Sequence, residues 1–134
     1  MSDTLKLQIS LLAMRWGVGT VFLVWASDRV LNYSHNSGMM RHYYGVTIPE
    51  GLLTAIGVAQ LAIIIAFLIG FLKRISYGYI LIAHLVTTLV SAKRLFPPYE
   101  IHQLLYFGSL PMLGACLGLY LLRDKDTLLS LNKW

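Results

Sequence analysis

The chain has 134 residues, of which 57% are hydrophobic and only 13% charged, with a formal net charge of +5. A soluble domain carries about 25% charged residues, so the composition argues against a water-soluble globule and for the bilayer as solvent. The single cysteine, Cys116, excludes an internal disulfide and a CxxC pair, and with it a two-cysteine quinone reductase.

The apolar residues fall in four blocks, at approximately 7–30, 52–72, 75–92 and 101–122. Each is near the ~20 residues needed to cross a bilayer, the third being the shortest. The expectation is an all-α, integral membrane four-helix bundle, one domain over residues 1–134. The first block, with "LLAMRWGVGTVFLVWASDRV", is too long for a signal-peptide core and lacks a small-residue cleavage site, so it reads as a span. It carries Arg15 inside the apolar run and Asp28 and Arg29 at its end.

The segment 31–51, "LNYSHNSGMMRHYYGVTIPEG", is long for a connection without a role. Gly38, Gly45 and Pro49 argue against one continuous helix, with a short interfacial helix near "GMMRHYYG". Tyr33, Met39, Met40, Arg41, Tyr43 and Tyr44 are residue types suited to a partner interface. Resting the same aromatic residues on the membrane is the competing reading. Pro97 and Pro98 end the third block and begin the fourth.

Six basic residues (Lys6, Lys73, Arg74, Arg123, Lys125, Lys133) fall on the side of the termini, against four (Arg29, Arg41, Lys93, Arg94) on the other. That bias puts both termini in the cytoplasm. The charge suits anionic lipid and not nucleic acid.

Arg15 lies about 12 Å into the first span at ~1.5 Å per residue. Counted the same way, Gln60 and His84 reach nearly that level from the second and third spans. An arginine at mid-span costs at least ~2.5–3.5 kcal/mol, so the three are expected to face inward and to bond one another, around a quinone or lipid head group. The alternative is an Arg15 that snorkels to the headgroups. Asp28 has basic neighbours available from the third span. Thr87, Thr88 and Ser91 are expected to bond back to their own helix. Gly114 and Gly118 form a GxxxG pair, suited equally to bundle packing and to a partner helix.

The stretch "MRWGVGTVFLVWASDRVLNY" resembles the opening of the DoxX-like family at Arg15, Gly17, Gly19, Phe22, Ser27 and Arg29. "YYGVTIPEGLLTAIGVAQLAIIIAFLIGFLKRISYGYI" is similar to that family's second unit, and "LPMLGACLGLYLLRDKDTLLSLN" to its fourth helix and charged tail. Two departures are Gln60, where members often carry Glu, and Ala26, where Gly is frequent. The resemblance implies a four-helix subunit of a bacterial or archaeal cytoplasmic membrane, in several cases the partner of an oxidoreductase. One such member is the small subunit of thiosulfate:quinone oxidoreductase. The residues show no catalytic constellation, and no metal or haem motif. Three readings follow: an accessory or structural subunit of a larger, redox-linked membrane complex, with helix faces that bind other subunits and lipid or quinone; a quinone-linked oxidoreductase subunit; and a small transporter or membrane chaperone.

Overall fold

In the computed structural model, residues 1–95 and 103–132 are described, and among them helix is the only regular structure, with no strand. Helix α1 (Asp3–Leu31) has 29 residues. Its N-cap is Ser2, whose Oγ accepts the Leu5 amide at 3.3 Å, and Asp3 lies at the positive end of the helix dipole. This cap starts the helix four residues ahead of the apolar block. Helix α2 (Tyr33–Met39) runs on into a π-helical turn, Met40–Tyr44, and ends at Gly45 with φ 68°. Gly38, expected to interrupt this segment, lies inside α2. Helix α3 (Glu50–Leu68) and helix α4 (Lys73–Val90) follow, then a 3₁₀ turn over Ala92–Leu95.

The fourth block is not one helix. It divides into α5 (Gln103–Tyr106) and α6 (Ser109–Leu121). Pro111 has no amide to give the Phe107 carbonyl and its ring crowds that position, so the chain breaks at Phe107 and Gly108. Pro97, Pro98, Glu100, His102 and Lys133 lie outside the described residues. Helices α1 and α3 are long and apolar enough to cross a membrane. Helix α4 is close to α3 in length with 18 residues, but its Ser, Thr, His and Tyr side chains make it less apolar, and α6 is shorter at 13.

Helix α1 packs on α3, α3 on α4, α4 on α6, and α6 back on α1. The α1–α3 pair is antiparallel and close. Gly19 of α1 lies under Leu68 and Phe67, and Gly57 of α3 under Val30 and Arg29, with no room for a Cβ at either glycine without a shift. Buried positions on α1 (Leu11, Arg15, Val18, Phe22, Ala26) recur at intervals of three and four, which is one helix face. They meet Ile64 and Phe67 of α3, Tyr77 and Ile80 of α4, and Cys116 and Leu119 of α6. Large apolar side chains also cover the outside, with Val24 61%, Ile82 62%, Leu89 65% and Leu121 63% exposed.

The chain after α6 folds back over one end of the bundle. The Leu131 amide donates to the Ile69 carbonyl at 2.9 Å, and Gln8 Nε2 donates to Thr127 Oγ1 at 2.7 Å. This tail end gathers the start of α1, the α3–α4 turn and residues 123–132. The opposite end gathers the close of α1, α2, the close of α4, and α5.

Candidate functional site

At the α2 end a cavity of about 430 Å³ opens between α1, α2, α4 and the α5–α6 break. Its wall is rich in aromatic and thioether groups, among them Trp25, Met39, Met40, Tyr43, Tyr106 and Met112. Helix α2 roofs it and is held by two attachments. Asp28 accepts from Asn32 Nδ2 at 2.7 Å, His35 Nδ1 at 2.7 Å and Asn36 Nδ2 at 2.8 Å, which ties the first turn of α2 to α1. The Tyr43 and Tyr106 hydroxyls meet at 2.7 Å, which ties the far side to α5. Among the described residues His35 is the basic group that meets Asp28, because the chain turns back at Asn32 and brings α2 over the carboxylate.

Helix α4 contributes the polar floor. His84 is 1% exposed, and its Nε2 lies 2.9 Å from the Ser109 carbonyl. A carbonyl only accepts, so Nε2 carries a proton toward it. Nδ1 has no partner among the described residues, and neither has Thr88 Oγ1, one turn further along the same face. Thr87 does bond back to the Ala83 carbonyl, at 2.9 Å, as expected for a hydroxyl on a helix; Thr88 does not. The Trp25 ring lies nearly parallel to the His84 imidazole at 28° with centroids 6.3 Å apart, and Phe22 meets it edge-on.

No protein-family model, no curated protein and no solved structure matches the chain. The site is therefore read from its own geometry.

Arg15, Gln60 and His84 do not form one cluster. Arg15 is fully buried at the tail end, where Nη1 lies 3.0 Å from Asp126 Oδ2 and Nη2 donates to the Leu128 and Leu129 carbonyls at 2.7 and 2.9 Å. Tyr77 joins the pair, donating to Asp126 Oδ2 at 2.7 Å and accepting from Arg15 Nη1 at 3.3 Å. Arg15 lies twelve residues into α1 and Tyr77 four into α4, so α1 overhangs its neighbour by about 12 Å. That overhang is what a depth count from aligned span ends misses. His84, seven residues beyond Tyr77, sits about 10 Å nearer the α2 end. Gln60 instead accepts from Arg29 Nη1 and donates to the Tyr79 hydroxyl at 2.6 Å, in the wall of a neighbouring cavity of about 300 Å³.

Of the residues expected at a partner interface, Met39, Met40, Tyr43 and Tyr44 line the larger cavity, and Met39 and Tyr44 are exposed as well. Tyr33 is structural, its hydroxyl donating to the Ile48 carbonyl at 3.0 Å. Arg41 is exposed. Lys73 was counted as an ordinary basic residue of an inter-span turn, yet it is fully buried under the tail, where Nζ donates to the Asp126 carbonyl at 2.5 Å and to Asn132 Oδ1 at 2.9 Å. Sequence reasoning missed Asp126. The signal was an inventory of acids: only Asp3, Asp124 and Asp126 stand on the side of the chain that Arg15 faces.

Proposed function

We propose that this chain is a membrane-integral subunit of DoxX-like kind that holds an amphiphilic small molecule, of the quinone or lipid class, at the α2 end and works within a larger, redox-linked membrane complex. The observation that carries the reading is the cavity of about 430 Å³, a volume suited to a small ligand, with a largely apolar wall. Membrane residence draws support from α1 and α3, each long and apolar enough to span, and from the apolar side chains that cover the outside of the bundle. In this reading α4 and the α5–α6 segment complete four spans. The tail end is cytoplasmic and the cavity opens toward the other face. A Cβ built at Gly114 or Gly118, spaced for helix contact, would meet nothing within 4 Å among the described residues, which suits a helix from another subunit.

The test is gentle detergent extraction from native membranes, followed by mass spectrometry of the purified material before and after organic extraction. About one equivalent of a retained amphiphile, with an oxidoreductase subunit in fixed ratio, is the expected result. An empty chain that runs alone or only with itself would defeat the reading.

A further inference from the structure

We propose that the smaller cavity, of about 300 Å³, is a second binding site for a single-chain amphiphile whose anionic head, a carboxylate or a phosphate, sits on Arg29. The site lies between α1, α3 and α4 and is separate from the chamber proposed above, although Arg29 and Trp25 stand in both walls. Its lining is mainly apolar, with Phe22, Leu53, Ile56, Ile64 and Val86, and Arg29 is its only charged residue among those described. One fixed charge in an apolar wall orients an amphiphile by its head.

The two arginines of α1 differ in what answers their charge. Arg15 has the carboxylate of Asp126. No carboxylate among the described residues lies within ion-pairing distance of Arg29, and the group its Nη1 meets, Gln60 Oε1, belongs to a neutral amide. Asp28, next in sequence, spends its oxygens on Asn32, His35 and Asn36, and adjacent side chains on a helix point apart. Gln60 is held on its far side, where it donates to the Tyr79 hydroxyl at 2.6 Å, so the amide is fixed and keeps Nη1 in the cavity wall. Of the remaining guanidinium nitrogens, Nε is closed off without a partner, whereas Nη2 makes no hydrogen bond among the described residues and keeps accessible surface. Nη2 is the donor left to a ligand. A guanidinium held in apolar surroundings without a counter-ion is costly, and carboxylate and phosphate oxygens match its geometry. The alkyl chain has an exit as well. Val86 lines the cavity and is 44% exposed, so the cavity opens on the outside of the bundle, which in the membrane reading is lipid.

The experiment uses the full chain in nanodiscs of zwitterionic lipid at about pH 9, where a carboxylic acid is ionised and arginine stays charged. Dodecanoate, dodecyl phosphate, neutral dodecanol and inorganic phosphate are titrated by calorimetry, corrected for uptake by empty nanodiscs. The two anionic amphiphiles are expected to bind about ten-fold or more tightly than dodecanol, and inorganic phosphate is expected not to bind measurably. Whichever anion binds more tightly assigns the head to a fatty-acid carboxylate or to a lipid phosphate. Gln60→Glu keeps the shape of the side chain and sets an internal carboxylate against Arg29, so it should bring the three amphiphiles to within about two-fold of one another. Ile56→Trp fills the wall of the smaller cavity alone and should weaken all three. Thermal unfolding of both variants separates misfolding from lost recognition. Dodecanol that binds the native chain as tightly as the anions overturns the selection, and so does a preference that survives in Gln60→Glu. Inorganic phosphate that binds as tightly as dodecyl phosphate overturns the amphiphile, and anion binding unchanged in Ile56→Trp overturns the location. Gln60 and Ile56 do not line the larger cavity, so this site and that chamber fail separately.

Discussion

At the scale of single residues, the costliest features are the three charges buried at the tail end. Arg15, Lys73 and Asp126 are each 0% exposed, two cations to one anion. The excess charge is met by backbone oxygen. Arg15 takes the Leu128 and Leu129 carbonyls, and Lys73 takes those of Arg123 and Asp126. Presenting the Leu129 carbonyl in this way holds Leu129 at φ 48°, a left-handed conformation that costs a non-glycine residue roughly 1–2 kcal/mol. Charge-assisted hydrogen bonds offset it. Replacing one partner of a buried pair leaves the other uncompensated, so Asp126→Asn is expected to destabilise the fold by about 3–5 kcal/mol, read from reversible unfolding in detergent. Asp3→Asn serves as the control, because Asp3 meets Lys6 in an ion pair whose aspartate side chain is 97% exposed, and no measurable shift is expected there. A loss in Asp126→Asn no larger than in the control would show that the Arg15 pair contributes nothing.

At the scale of elements, two contacts decide how segments sit on one another. The first is the α1–α3 approach through Gly19 and Gly57. The second is the seat of the tail on the α3–α4 turn. Gly70 has φ +66°, which an L side chain adopts only under strain, and a Cβ built there would stand 1.9 Å from Ser130 Oγ. Gly70→Ala therefore strains the turn and pushes residues 128–132 away from it. The expected consequence is selective: trypsin should cut after Arg123 and Lys125 faster in Gly70→Ala than in the native chain, with α1, α3 and α4 left intact. Equal cleavage rates in the two proteins would mean that the tail is held elsewhere. Helix α2 has a different character. It is a seven-residue piece tied to α1 through the Asp28 carboxylate and to the following segment through the Tyr33 hydroxyl on the Ile48 carbonyl, while the π-helical turn after it meets α5 through the Tyr43 and Tyr106 hydroxyls.

At the scale of the whole molecule, the arrangement makes physical sense in hydrocarbon. Lipid tails are as apolar as leucine, so burying Leu11 or Ile64 there drives association weakly. In the membrane reading proposed above, such a bundle is held by close packing at glycines and by polar groups that lipid cannot satisfy: Arg15 with Asp126, Gln60 with Arg29, His84 with Ser109. The orientation proposed above is tested by cysteine labelling on intact cells, with the native Cys116 buried and out of reach. A membrane-impermeant maleimide should label Ser34→Cys, which is exposed in α2, and should spare Asp124→Cys, which is exposed on the tail. The opposite pattern would invert the topology. Labelling of neither on intact cells, with both labelled after lysis, would argue against membrane insertion.

By itself the sequence determined that the chain is helical, and roughly where its long helices run, because runs of apolar residues broken by Gly and Pro carry that information locally. Arg15 was legible as a buried cation in need of partners, since its position in an apolar run makes any other fate expensive. Which partners it finds was not legible. Asp126 stands 111 residues away in a segment of ordinary polar composition, and only the fold-back of the tail, seated at Gly70 and Lys73, brings it to the guanidinium. The cavity was legible only in its ingredients. Met39, Met40, Tyr43, Tyr44 and His84 carry no signal that tells an outward face from an inward one. That choice was made by the tertiary structure, through an α1 that overhangs its neighbours, an α2 that turns back at Asn32, and a break before Pro111 that leaves space between α4 and α6.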